Sequence, residues 1–133
     1  MVLYVDSSAL LKRYVDEHDS EAAVELMKSD PVLVTSRLTE IEVRRNLARL
    51  LAGSPLERAR RQFTVDLDAF ALVAIDAACC NEAARIGEQT LCRSLDAIHL
   101  ATAIRVGRAT SILTFDLRQA QAARTLDLAV IGS

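Results

Sequence analysis

Short apolar runs that end in or beside an acidic residue, set between stretches with helical spacing, constrain this chain more than any other feature. Val2-Leu3-Tyr4-Val5 runs straight into Asp6. Ala71-Leu72-Val73-Ala74-Ile75 ends at Asp76, and Ser111-Ile112-Leu113-Thr114 stops just short of Asp116. Val32-Leu33-Val34-Thr35 and the run 128–131 complete the set. Continuous apolarity, rather than alternation, marks strands buried on both faces. Between these runs the apolar residues recur at three- and four-residue spacing. The pattern predicts helices over about 8–16, 20–29, 37–52, 55–68, 77–91, 95–106 and 117–126. Ser7 or Ser8 is placed to cap the first helix and Ser94 the sixth, while Pro31 stops the second. Strands alternating with helices fold as a parallel sheet covered on both faces, an α/β architecture. With 133 residues and no linker or repeat, the expectation is one domain over 1–133.

Composition narrows the class. Hydrophobic residues make up 51% of the chain and charged residues 26%, an ordinary globular balance. No apolar run approaches the roughly 20 residues of a membrane span. The first residues lack the basic stretch of a secretion signal, so a cytoplasmic protein with no membrane association is expected. Cys79, Cys80 and Cys92 are odd in number and form no C-x-x-C pair, which argues against both a disulfide framework and a zinc site. The net charge of −2 does not by itself suggest nucleic acid. Its distribution does: from Arg37 to Arg61 seven arginines stand against three acids, a local +4 that leaves −6 for the remainder. Guanidinium forks suit phosphate oxygens, and Arg44 and Arg45 are the candidate nucleic-acid contacts on that segment.

The acids carry the chemistry. Asp6 and Asp116 follow strands, so in a parallel sheet both lie at the carboxyl edge, where ligands of open α/β sheets bind. Asp96 lies in the first turn of a helix, and Glu42 near the start of the helix after the second strand. Each also has a simpler reading: Asp6 and Asp116 as helix-entry or turn caps, Asp96 as a partner of its helix dipole, and Thr39-x-x-Glu42 as a capping box. No lysine or histidine is expected to join them, and His99 reads as a packed helix residue. Carboxylates clustered without a cation repel one another, and Mg²⁺ or Mn²⁺ relieves that repulsion because hard cations take oxygen ligands. Helical spacing alone does not choose between Glu42 and Glu40. On the wheel Glu40 shares the arc of Val43, Leu47 and Leu51, and Glu42 falls with Arg45 and Arg49.

Four segments resemble the motifs of PIN-domain ribonucleases, and of VapC-type toxins among them. These are Tyr4-Val5-Asp6-Ser7-Ser8-Ala9-Leu10, Ser36–Arg45 with Glu42 before Val43-Arg44, Ser94-Leu95-Asp96-Ala97-Ile98-His99-Leu100-Ala101-Thr102-Ala103, and Leu113-Thr114-Phe115-Asp116. The third is the most specific. The resemblance implies a three-layer α/β/α fold with a five-stranded parallel sheet in the order 3-2-1-4-5. It implies a Mg²⁺- or Mn²⁺-dependent endoribonuclease whose catalytic and metal-binding acids are Asp6, Glu42, Asp96 and Asp116, with Glu42 chosen over Glu40. Ser7 and Thr114 are expected behind them, orienting carboxylates or metal-bound water. A homodimer and a VapB-type antitoxin are the implied partners. The antitoxin is expected on surplus apolar residues at Leu10, Leu11, Tyr14, Leu38 and Ile41. The alternatives are a PIN fold that has lost catalysis and serves in binding, a receiver-type signalling domain and a flap-type nuclease. The receiver lacks its lysine here, since the only lysines are Lys12 and Lys28.

Overall fold

The computed structural model describes residues 2–28, 32–107 and 109–133. The expected stop at Pro31 lies outside the described residues. The elements run β1 (Val2–Val5), α1 (Ser7–Leu11), α2 (Ser20–Lys28), β2 (Val32–Ser36), α3 (Arg37–Leu50), α4 (Gly53–Asp68), β3 (Ala71–Val73), α5 (Ala77–Thr90), α6 (Ser94–Val106), β4 (Thr110–Leu113), α7 (Leu117–Thr125) and β5 (Ala129–Ile131). The five strands form one sheet in the order β3-β2-β1-β4-β5, and every pairing is parallel. This is the expected α/β/α fold.

Period-two alternation along the strands separates two cores. Leu3, Val5 and Leu113 point to one face, where Ala9, Leu10, Val43, Leu47 and Phe63 of α1, α3 and α4 cover them. Tyr4 and Ile112 point to the other, under Ile86, Leu100 and Ala123 of α5, α6 and α7. Chain order explains the split. The connections β1→β2→β3 step one way along the sheet, whereas β3→β4→β5 cross to the other side of β1. Right-handed crossovers that step in opposite directions lay their helices on opposite faces. The reversal lies between β1 and β4, and connections diverge there to leave a crevice at the carboxyl edge.

The helix starts differ from the sequence expectation. Asp6, not a serine, caps α1 by accepting from the Ala9 amide. Arg93, not Ser94, precedes α6, and makes no side-chain cap. Ser36 caps α3, so Thr39-x-x-Glu42 is not a capping box, and Thr39 is fully buried. α1 closes after five residues rather than reaching residue 16. Asp66 of α4 takes the following turn, accepting from Arg13 Nε at 2.6 Å and from the Tyr14 hydroxyl at 2.6 Å. Tyr14 packs edge-on against Phe63. The expected apolar surplus on these helices is also corrected. Leu10, Leu11 and Leu38 are core residues, and of the expected set only Ile41 is fully exposed, at 63%. No helix among the described residues is long and apolar enough to cross a membrane.

Candidate active site

The crevice at the carboxyl edge is a cleft of about 210 Å³ lined by Asp6, Ser7, Ser8, Glu42, Arg93, Asp96, His99, Asp116 and Gln119, among others. All four expected acids therefore meet there. Larger hollows lie elsewhere, including one of about 450 Å³ between α3 and α4, but none gathers these carboxylates. Glu40 lines the α3–α4 hollow instead and pairs with Arg37 at 3.5 Å. Arg44 lies in that hollow too, and Arg45 is exposed beside Asn46, so neither arginine reaches the acidic cleft.

Asp6 sits where β1 gives way to α1 and is 3% exposed. One of its oxygens accepts from the Ala9 amide at 2.9 Å and the Ser8 hydroxyl at 2.8 Å. The other accepts from Thr114 Oγ1 at 2.7 Å. Burial raises its pKa, against the opposing effects of His99 and these donors. Thr114 also accepts from the Asp116 amide at 3.1 Å, and so ties the ends of β1 and β4 together. Asp116 caps α7 with one oxygen, as its capping reading predicts, while the other faces the cleft. Asp96 lies in the first turn of α6, 7% exposed. Burial raises its pKa and Arg93 works in the opposite direction.

Two basic side chains correct the expectation of a cation-free cluster. Arg93 donates Nε to Asp96 at 3.0 Å and Nη2 to Asp116 at 2.8 Å, bridging them. His99 Nε2 lies 2.6 Å from Glu42 Oε1, which also accepts from Ser7 Oγ at 2.9 Å. Burial pushes the Glu42 pKa up, but His99, Ser7 and the charge of Arg93 outweigh it, and the net shift is downward. His99 is packed, as expected, at 2% exposure, yet both ring nitrogens are engaged. The signals were in the sequence: Arg93 stands three residues before Asp96 and His99 three after it, the spacing of helical neighbours. Ser8, which the sequence marks only as a possible cap, donates to Asp6.

Among the described residues, no group of three or more histidine, cysteine or acidic side chains is arranged as it stands to hold a metal ion. The donors still suit one. Glu42 Oε2 and Asp96 Oδ1 accept no hydrogen bond among the described residues. Gln119, 1% exposed, has its side-chain oxygen buried without a partner beside the same cleft. A site of free carboxylate oxygens with an orphaned amide oxygen is suited to a hydrated hard cation, provided that Arg93 yields its place as counter-charge.

Comparison with known proteins gives a consistent picture. The family model described as PIN domain matches residues 3–125. Ribonuclease VapC46 of Mycobacterium tuberculosis is 38% identical over 131 residues, covering 98% of this chain and 96% of the relative. Ribonuclease VapC35 of the same organism is 37% identical over 140 residues, again covering 98% and 96%. Among solved structures, FitAcB from Neisseria gonorrhoeae superposes with a TM-score of 0.78 at 21% identity, covering 99% of this chain and 97% of that one. VapBC2 from Rickettsia felis, bound to a DNA fragment from its promoter, gives 0.71 at 12% identity, with 98% of each chain covered. At such identities the structures are alike in fold.

Proposed function

The chain belongs to the PIN-domain family, and on that premise we propose that it is a VapC-type endoribonuclease, the toxin of a toxin–antitoxin pair. It hydrolyses RNA phosphodiester bonds with Mg²⁺ or Mn²⁺ held by Asp6, Glu42, Asp96 and Asp116. The observation that carries this reading is the convergence of those four carboxylates, from four separate parts of the chain, on one cleft at the reversal point of a parallel sheet. Bound there, such an ion would acidify a water and offset the negative charge of the phosphate. The chain's own groups do the rest. Ser8, Thr114 and the Ala9 amide hold Asp6 rigid, and Ser7 and His99 hold Glu42. Arg93, released from Asp96 and Asp116, has a guanidinium suited to the oxygens of the scissile phosphate. Single-stranded RNA is the substrate class, because its bases and backbone are accessible.

The test is cleavage of RNA and DNA of equal sequence by the purified protein. RNA is cut in Mn²⁺ or Mg²⁺, EDTA abolishes cutting, and Asp96→Asn removes activity while keeping the fold. Full activity in EDTA would overturn the mechanism. A wild type that leaves RNA intact in every metal, while still binding a partner, would make this a PIN fold used for binding alone. A VapB-type antitoxin, a homodimer and a cytoplasmic location belong to the same proposal. Co-expression of a small neighbouring gene product should restore growth and suppress cleavage.

A further inference from the structure

We propose that Tyr4 and His99 form a buried positioning relay for Glu42, fixing the His99 tautomer so that one oxygen of Glu42 is pinned and the other is left for the cleft. The inference rests on the reading of that cleft as the nuclease site. Tyr4 belongs to β1, His99 to α6 and Glu42 to α3, so the relay runs from the sheet through one helix layer to the other. Tyr4 is 0% exposed and His99 2%. The Tyr4 hydroxyl lies 2.6 Å from His99 Nδ1, and the two rings meet edge-on.

Hydrogen-bond direction follows from donor and acceptor chemistry. An ionised carboxylate only accepts, so the hydrogen between His99 and Glu42 belongs to Nε2. In the tautomer that carries its hydrogen on Nε2, Nδ1 is an acceptor and the Tyr4 hydroxyl supplies its hydrogen. The chain of donors therefore points one way, from Tyr4 through His99 to Glu42. Ser7 donates to the same Glu42 oxygen, Oε1, while Oε2 receives nothing among the described residues. A histidine kept only for packing has no need of a partner at each nitrogen and of a carboxylate as the last of them. Groups behind a metal-ligating carboxylate set its orientation, and losing one typically weakens metal binding or activity by about 10–100-fold.

The experiment uses the full chain labelled with ¹⁵N, in which His99 and the exposed His18 are the only histidines. In mildly alkaline buffer without metal, His99 should show a protonated Nε2 and a bare Nδ1. Tyr4→Phe should mix the tautomers and weaken Mn²⁺ binding, measured by calorimetry, by about 10-fold or more. The kcat for RNA should fall with KM little changed. His99→Gln, which keeps an N–H directed at Glu42, should retain more Mn²⁺ affinity than His99→Leu, and carries the test if Tyr4→Phe does not fold. A protonated Nδ1 in the wild type overturns the relay. So does Tyr4→Phe with unchanged nitrogen shifts and Mn²⁺ affinity, or His99→Gln no better than His99→Leu. A wild type that shows the expected tautomer but neither binds Mn²⁺ nor cuts RNA would sink the nuclease reading instead.

Discussion

Arg93 changes the charge balance of the cleft from that of four bare carboxylates. Its guanidinium bridges Asp96 and Asp116, so in the metal-free protein these two acids are already compensated. Asp6 relies on hydrogen bonds instead, and removing its charge does not simply relieve repulsion. On the proposed reading, a divalent cation would have to compete with an internal one. Arg93→Ala should bind Mn²⁺ several-fold more tightly by calorimetry, with cleavage lowered if the guanidinium serves the phosphate. Weaker Mn²⁺ binding in that variant would mean that Arg93 organises the acids rather than occupying them. Glu42→Gln should damage RNA cleavage far more than Glu40→Gln, because Glu42 lines the acidic cleft and Glu40 the α3–α4 hollow. Equal or reversed losses in parallel turnover assays would move the acid to Glu40.

Among the elements, α1 and α6 show how packing overrides local preference. The α1 periodicity favours a longer helix, yet Asp66 draws Arg13 and Tyr14 into a turn with hydrogen bonds that a continued helix would not place there. Gln62 adds a further donor to the same carboxylate. Burial raises the Asp66 pKa, but these donors and the Arg13 charge outweigh it and hold it below its usual value. A carboxyl group with a depressed folded pKa contributes stability above its unfolded pKa, about 3.9, and that contribution fades as pH falls through the folded value. Asp66→Ala should therefore cost roughly 1–3 kcal/mol near neutral pH. The gap to wild type in thermal melts should close in strong acid, and a gap independent of pH would assign the loss to packing. α6 is buried on nearly every side, with Ala97, Ala101 and Ala103 allowing neighbours close, so the placement of Asp96 and His99 is rigid.

For the whole molecule, the charge partition matters more than the net −2. The +4 segment Arg37–Arg61 falls on α3 and α4, beside the hollow lined by Arg37, Arg44 and Arg60, while Asp6, Glu42, Asp96 and Asp116 collect at the sheet edge. RNA that enters the cleft and follows this face would meet arginines away from the scissile bond. Binding should then weaken steeply with salt through counterion release. Replacing Arg44 and Arg45 by alanine should flatten the slope of log K against log salt by about 1.4, at ~0.7 per single-strand phosphate contact. An unchanged slope in fluorescence titrations would leave both residues to solvent or to a protein partner.

Local signals along the chain set the alternation of buried strands and helices, and with it the parallel sheet and the edge at which Asp6 and Asp116 emerge. Continuous apolar runs and 3.6-residue spacing are local signals, and they survive folding because burial rewards them directly. The sheet order 3-2-1-4-5 came from the motif resemblance, because periodicity says nothing about which strands are neighbours. The motif resemblance favours Glu42 over Glu40, and tertiary structure alone decided the remaining pairings: Arg93 between Asp96 and Asp116, and Tyr4 behind His99. Glu42 and His99 are 57 residues apart, and Tyr4 and His99 are 95 apart. Such pairs are set by how two helix layers close over the end of β1, and hydrogen-bond partners at those separations leave no periodic trace along the chain.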